Sequence, residues 1–256
     1  MADILKVFET RKPLICYFMA GYPSIEDSIK TAQALIDSGA DILEVGLPFS
    51  DPVADGPTIQ VAHEKAVKDG ITPLNVFDIT KKIKEENPNI PLILMTYFNP
   101  VFRFGVEEFC KKSQENGIDG FIIPDLPPEE ATEFKEIANK EGLKTIFLLA
   151  PTSDEERIKL VSKFSDDFIY YVSLTGITGA RDTLPWEEIK QKINEIKNIT
   201  GKYVAVGFGV SKKEHSQILS KFCDGIIVGS AVVKLQGMKD FEGIKNIVKD
   251  IKEGIS

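Results

Sequence analysis

Short β-rich runs, each followed by an amphipathic stretch of helical length, recur eight times along the 256 residues. They begin near Leu14, Ile42, Pro91, Gly120, Lys144, Phe168, Tyr203 and Gly225, roughly 30 residues apart, the length of one βα unit. A strand followed by a covering helix builds a parallel sheet, and eight such units predict a closed (β/α)8 TIM barrel formed as a single domain over 1–256. Ser24 is placed to cap a helix over Ile25–Ser38 that ends before Gly39, and Asp154 to cap one over Glu155–Lys163. An open doubly wound sheet would show the same alternation. It is disfavoured by the strand count and by an incomplete dinucleotide fingerprint, because Gly207-Phe208-Gly209 has no glycine three residues on.

Composition narrows the function. With 31 Lys+Arg against 39 Asp+Glu, the net charge of −8 opposes attraction to nucleic acid or anionic lipid. No apolar run approaches the ~18 residues of a membrane span, and Met1 to Pro13 carries no visible export signal, so a cytoplasmic protein is expected. Cys16, Cys110 and Cys223 are scattered and odd in number, which fits small buried residues better than a disulfide framework or a zinc site.

In a barrel the chemistry sits on the loops that leave the C-terminal ends of the strands. The two longest intervals, 42–91 and 168–203, each carry a Gly- and Pro-rich stretch directly after a strand, giving candidate active-site loops over about 46–58 and 174–186. In the second run, Leu43 and Val45 alternate with Ile42 and Glu44, so Glu44 projects into the barrel mouth. A carboxyl in apolar surroundings holds its proton to higher pH and can exchange it near neutrality. A structural acid paired with a cation fits this residue as well. The loop that follows has five Gly or Pro in its first twelve residues and two acids, Asp51 and Asp55. Asp55 precedes a new helical pattern on the same mouth as Glu44. Two carboxyls in different environments suit one proton shuttle and one fixed anion, although glycoside hydrolysis uses such a pair too.

Small-residue segments follow the sixth strand and end the seventh and eighth: Gly176-Ile177-Thr178-Gly179, Gly207-Phe208-Gly209-Val210-Ser211 and Gly229-Ser230-Ala231. Backbone amides exposed by glycines, beside a helix that opens at Ser230, form the usual phosphate position of a barrel. Tyr17, Tyr97 and Tyr170 stand near strand ends, where they pack in the core or line a pocket. His63-Glu64 lacks the second histidine of a zinc motif and His215 stands alone, so no metal site is expected. Trp186 reads as a packing residue at a helix start.

The residues from Leu43 through Glu44, Pro48, Phe49, Asp51, Pro52, Asp55, Gly56 and Pro57 to Gln60 resemble the signature of the α subunits of tryptophan synthase. Met95-Thr96-Tyr97-Phe98-Asn99-Pro100, Pro124-Asp125-Leu126-Pro127 and the three glycine segments extend the resemblance over essentially the whole chain. It implies a barrel that cleaves indole-3-glycerol phosphate to indole and glyceraldehyde 3-phosphate by a retro-aldol reaction, without metal or Schiff base. It assigns Glu44 as the general acid/base and Asp55 as the acid that accepts the indole N–H. Tyr170 then lies near Glu44 and the substrate, while Tyr17, Tyr97 and Phe208 line the indole pocket. Gly179, Gly209, Gly229 and Ser230 hold the phosphate, and Thr178 closes over Asp55. Asp51 and Pro52 face a partner β subunit in an α2β2 assembly, which receives the indole and carries the pyridoxal phosphate; this chain carries no cofactor. A standalone indole-releasing lyase, or a barrel kept as a non-catalytic allosteric partner of the β subunit, are the alternatives that share these motifs. Leu174-Thr175 departs from the Arg-Ser of some members, and the short segment before Pro13 implies a reduced helix beneath the barrel.

Overall fold

The computed structural model describes residues 2–173, 185–207 and 209–255. In chain order these form α1 (Ile4–Thr10), β1 (Leu14–Met19), α2 (Ile25–Asp37), β2 (Ile42–Gly46), α3 (Pro57–Lys68), α4 (Pro73–Glu86), β3 (Leu92–Met95), α5 (Phe98–Phe104), α6 (Val106–Glu115) and β4 (Gly120–Ile122). A 3-10 turn (Pro128–Glu130) leads into α7 (Thr132–Lys140), β5 (Lys144–Ile146), β6 (Leu148–Leu149), α8 (Glu155–Phe164), β7 (Phe168–Val172), α9 (Trp186–Thr200), β8 (Tyr203–Gly207), α10 (Lys213–Leu219), β9 (Gly225–Val228), α11 (Ser230–Gly237) and α12 (Phe241–Glu253). No helix among the described residues is long and apolar enough to cross a membrane.

All strand pairs are parallel, in the order β5-β4-β3-β2-β1-β9-β8-β7-β6. The two ends of that order, β5 and β6, are consecutive in the chain and separated only by Phe147. They are two halves of one stave: the first half pairs with β4, the second with β7, and the Phe147 carbonyl accepts the Tyr170 N–H at 3.1 Å. The sheet thus closes as the eight-stave barrel expected from the repeats. Seven staves begin where the sequence placed them. The third begins at Leu92 rather than Pro91, since proline has no N–H to give the ladder, although its carbonyl still accepts Leu43 N–H.

Period-two alternation sorts the side chains. Ile15, Ile42, Ile93, Ile122, Ile146 and Ile227 point inward and fill the barrel, while Leu14, Cys16, Leu43, Val45 and Val228 point outward beneath the helices. The helix beneath the barrel is short, at seven residues, yet it closes the N-terminal end: Asp3 caps it, and Ile4, Val7 and Phe8 enter the inward cluster. Phe8 stacks on Phe168 at 4.9 Å and on Tyr203 at 5.4 Å between ring centroids. Ser24 and Asp154 cap α2 and α8 as read, accepting Asp27 N–H and Arg157 N–H. All three cysteines are buried free thiols, and burial pushes those of Cys110 and Cys223 up to about 12.

A side-chain clamp repeats four times on the N-terminal face. Asp41, Asp119, Asp166 and Asp224 each precede an even-numbered stave. Each donates its own N–H to, and accepts on its carboxylate the N–H from, one residue at the start of the preceding odd stave: Leu14, Leu92, Thr145 and Val204, at 2.7–2.9 Å for the carboxylate bonds. A lysine seals each one: Lys252, Lys84, Lys135 and Lys197, respectively. Each odd stave is thereby fastened to the even stave that follows it, at the end opposite the loops.

Candidate active site

Glu44 lies in register with Tyr17 of β1 and Ile93 of β3, and faces inward as the alternation requires. It is 1% exposed, and its Oε2 has no hydrogen-bond partner among the described residues. Burial, and secondarily the charge of Asp55, push its carboxyl up to about 8. A lone carboxyl in this state is protonated for most molecules at neutral pH and exchanges its proton readily. An orphaned buried acid costs stability, which makes Glu44 a candidate for proton transfer.

Asp55 sits at the end of the loop after β2, just ahead of Gly56, which precedes α3, and Pro57 at its first position. The loop folds back so that Asp55 N–H meets the Pro52 carbonyl, and the side chain is pinned from behind. Tyr97 donates to Asp55 Oδ2 at 2.6 Å, and His63 Nε2 stands 3.2 Å from the same oxygen. Asp55 Oδ1 takes part in neither contact, and the residue lines the cavity.

That cavity, about 190 Å³, opens at the C-terminal end of the barrel. Glu44, Asp55, Tyr17, Tyr170, Gly209, Gly229 and Ser230 line it together. Both tyrosines owe their place to a glycine on the neighbouring strand: a Cβ at Gly46 would stand 2.1 Å from Tyr17 Oη, and one at Gly207 2.5 Å from Tyr170 Oη. Their hydroxyls are held protonated by burial and by the two nearby carboxyls. Gly209 adopts φ +82, a conformation that favours glycine. Gly229 and Ser230 begin α11, whose N-terminal dipole favours an anion.

The structure thus brings together Tyr17, Glu44, Asp55, Tyr170, Gly209, Gly229 and Ser230 around one cavity. Tyr97 is 1% exposed and stands behind Asp55 instead, supporting it rather than lining the cavity. Asp51 is exposed and Pro52 half-buried on the outer part of the loop. Thr178, Gly179, Phe208, Leu174 and Thr175 lie outside the described residues. Sequence reasoning missed Met95, which lines the cavity at the end of β3, and the part played by His63. The available signal for His63 was its position beside Ala62 and before Ala66 on the small-residue face of α3, where a polar side chain needs a partner. Among the described residues, no group of three or more His, Cys, Asp or Glu side chains could hold a metal ion.

The arrangement can be set beside known proteins. The family model described as tryptophan synthase alpha chain matches residues 5–254. The chain is 54% identical over 244 residues to the tryptophan synthase alpha chain of Aquifex aeolicus, covering 95% of this chain and 93% of that one. It is 43% identical to that of Dehalococcoides mccartyi over the full length of both. The structure of the tryptophan synthase α2β2 complex from Pyrococcus furiosus contains a chain 40% identical that superposes with a TM-score of 0.88, covering 95% of this chain and 98% of that one. A barrel with its paired acids on one mouth, matched end to end at such identities, leaves a single assignment: the chain belongs to the tryptophan synthase alpha chain family.

Proposed function

We propose that this chain cleaves indole-3-glycerol phosphate to indole and glyceraldehyde 3-phosphate. The observation that carries the reading is the contrast between two carboxyls on one cavity: Glu44 is buried with an unpaired oxygen, and Asp55 is pinned through one oxygen only. Glu44 in its acid form gives its proton to C3 of the indole ring. The ring becomes a cation, and Asp55 accepts a hydrogen bond from the ring N–H and offsets the charge. The Glu44 carboxylate then takes the proton from the hydroxyl on the carbon attached to C3. As that oxygen forms a carbonyl, the C–C bond breaks and its electron pair returns to the ring. Glu44 ends as it began, protonated, so one carboxyl serves as acid and then as base.

Tyr17 and Tyr170 provide apolar faces for the ring, and the segments at Gly209, Gly229 and Ser230 receive the phosphate. The positions of Thr178, Gly179 and Phe208 in the family motifs assign them to the same site, the first over Asp55 and the others to phosphate and ring. Indole then passes to a β subunit in an α2β2 assembly, docked over the mouth where Asp51 and Pro52 lie. Pyridoxal phosphate belongs to that subunit, and on this chain every step runs through protein side chains. The cytoplasm is the compartment that fits this reading.

The test is indole release from indole-3-glycerol phosphate by the purified chain, with and without a β subunit from the same source. Slow release that rises sharply with the partner is expected. Fast release indifferent to the partner would instead describe a standalone lyase, and no release under either condition would overturn the assignment.

A further inference from the structure

We infer that His63 is a positioning residue for Asp55, acting as a neutral imidazole with its proton on Nε2; the inference rests on the reading of Asp55 given above. His63 is 2% exposed on α3 and belongs to no potential metal-binding group among the described residues. Its Nδ1 lies 3.0 Å from the Phe49 amide nitrogen. A backbone N–H can only donate, so Nδ1 presents its lone pair there. The single ring proton of the neutral form therefore sits on Nε2, 3.2 Å from Asp55 Oδ2, and is donated to that carboxylate. A doubly protonated ring would set an N–H against the Phe49 N–H, and a flipped ring would present carbon to both partners.

The imidazole thus bridges two points of one loop from a helix beneath it. One nitrogen ties down Phe49 near the start of the loop, and the other orients Asp55 at its end. Tyr97 completes the arrangement: its hydroxyl donates to the same Oδ2 and its ring meets the His63 ring edge-on at 6.2 Å. With two donors on Oδ2, the carboxylate cannot rotate without losing both, and Oδ1 is the oxygen left for a substrate N–H. A rigid ring with an acceptor on one side and a donor on the other explains why histidine, and not a simpler donor, stands in this small-residue face.

The experiment uses the full chain and three variants, His63→Gln, His63→Asn and His63→Leu, together with nitrogen NMR of the histidine-labelled wild type. The wild-type spectrum is expected to show His63 as a neutral ring with a protonated Nε2. Losing an oriented support of a reacting group typically costs about 10- to 100-fold, so His63→Leu should lose that much in kcat while KM for indole-3-glycerol phosphate moves less than about threefold. His63→Gln keeps an amide N–H near the Nε2 position and should recover most of kcat. His63→Asn can satisfy only the Phe49 N–H and should not. A merely structural role would make Asn at least as good as Gln, and would move kcat in step with thermal stability. Full kcat in a folded His63→Leu chain, or an Nδ1-protonated ring in the wild type, would overturn the inference. A wild type that released no indole yet showed the Nε2–H ring would overturn the lyase reading while leaving the His63 to Asp55 geometry standing.

Discussion

Tyr97 donates its phenolic hydrogen to Asp55 Oδ2 at 2.6 Å and, with the same oxygen, accepts the Ala54 N–H at 3.0 Å. One hydroxyl thereby fixes both the backbone and the side chain at the end of the loop that carries Asp55. Tyr97→Phe keeps the ring and its stacking on Phe49, whose centroid lies 5.2 Å away, but leaves the Ala54 amide unpaired. The expected cost is about 1–2 kcal/mol of stability, read as a lower melting temperature. Indole release should fall about tenfold in kcat, because Asp55 keeps only the His63 contact. Wild-type turnover in this variant would mean that Asp55 is held without Tyr97.

With Glu44 as the proposed acid, the burial that pushes its carboxyl up to about 8 predicts a pH limit on the reaction. The first step needs the acid form, which dominates below that value and is lost above it. We expect kcat/KM to be nearly level between about pH 6 and 7 and to fall about tenfold per unit well above 8. Glu44→Gln should lose about 10³-fold in kcat with substrate binding retained, since the amide preserves shape and removes the proton. A kcat/KM that climbed through pH 9 would show that the ionised form starts the reaction.

The same shift costs stability. Glu44 in the folded chain holds its proton up to about 8, whereas the unfolded side chain releases it near 4.5. Between those values the folded state binds more protons, so unfolding becomes easier as pH rises, by up to about 1.4 kcal/mol per unit. Glu44→Gln removes the term. Its melting temperature should exceed that of the wild type at pH 8, and the gap should narrow toward pH 5. A gap that widened on acidification would mean that the folded state favours the carboxylate.

The strand starts, the caps at Ser24 and Asp154, and the inward direction of Glu44 were legible because each follows from local periodicity or from turn and cap chemistry. The cavity residues on strand ends followed from the barrel itself. What escaped depends on contacts between distant parts of the chain. The division of the fifth stave at Phe147 arises from its two neighbours. Tyr97 could be placed at a strand end, but only the fold-back of the loop shows that it supports Asp55. The role of His63 was hidden because its partners, Phe49 and Asp55, are brought to it by that same loop.

Gly46 is a test of how closely the cavity is built. A methyl group there would come 2.1 Å from Tyr17 Oη and 2.6 Å from its Cζ, so Gly46→Ala must displace the tyrosine ring. The ring lines the cavity, and its displacement should raise KM or lower kcat by at least about tenfold, with a loss of stability of about 1–3 kcal/mol from overpacking. Combining Gly46→Ala with Tyr17→Phe removes the shorter contact and should restore part of the stability. Equal melting temperatures for the single and double variants would argue against the hydroxyl as the source of strain.

The clamps on the opposite face separate stability from chemistry. Asp119 accepts the Leu92 N–H at 2.9 Å, the Ala2 N–H at 2.7 Å and the Lys84 ammonium at 2.7 Å, with side chains 1% and 14% exposed for the ion pair. Asp119→Ala leaves the Leu92 N–H without a partner and the nearly buried Lys84 ammonium with only the Ile90 carbonyl in place of its counter-ion, so a loss of about 3–5 kcal/mol is expected. The pair of Asp224 and Lys197 has the same geometry at 2.7 Å but is 19% and 36% exposed. Water can replace part of what Asp224→Ala removes, and its cost should be smaller, about 1–2 kcal/mol. Because both clamps lie at the far end of the staves from Glu44 and Asp55, kcat per folded molecule should stay within about twofold of wild type in each. Urea unfolding ranks the two, and indole release at low temperature checks the activity. A reversed ranking would mean that burial does not set the strength of the clamp, and a large fall in kcat would mean that the N-terminal face reaches the active site through the staves.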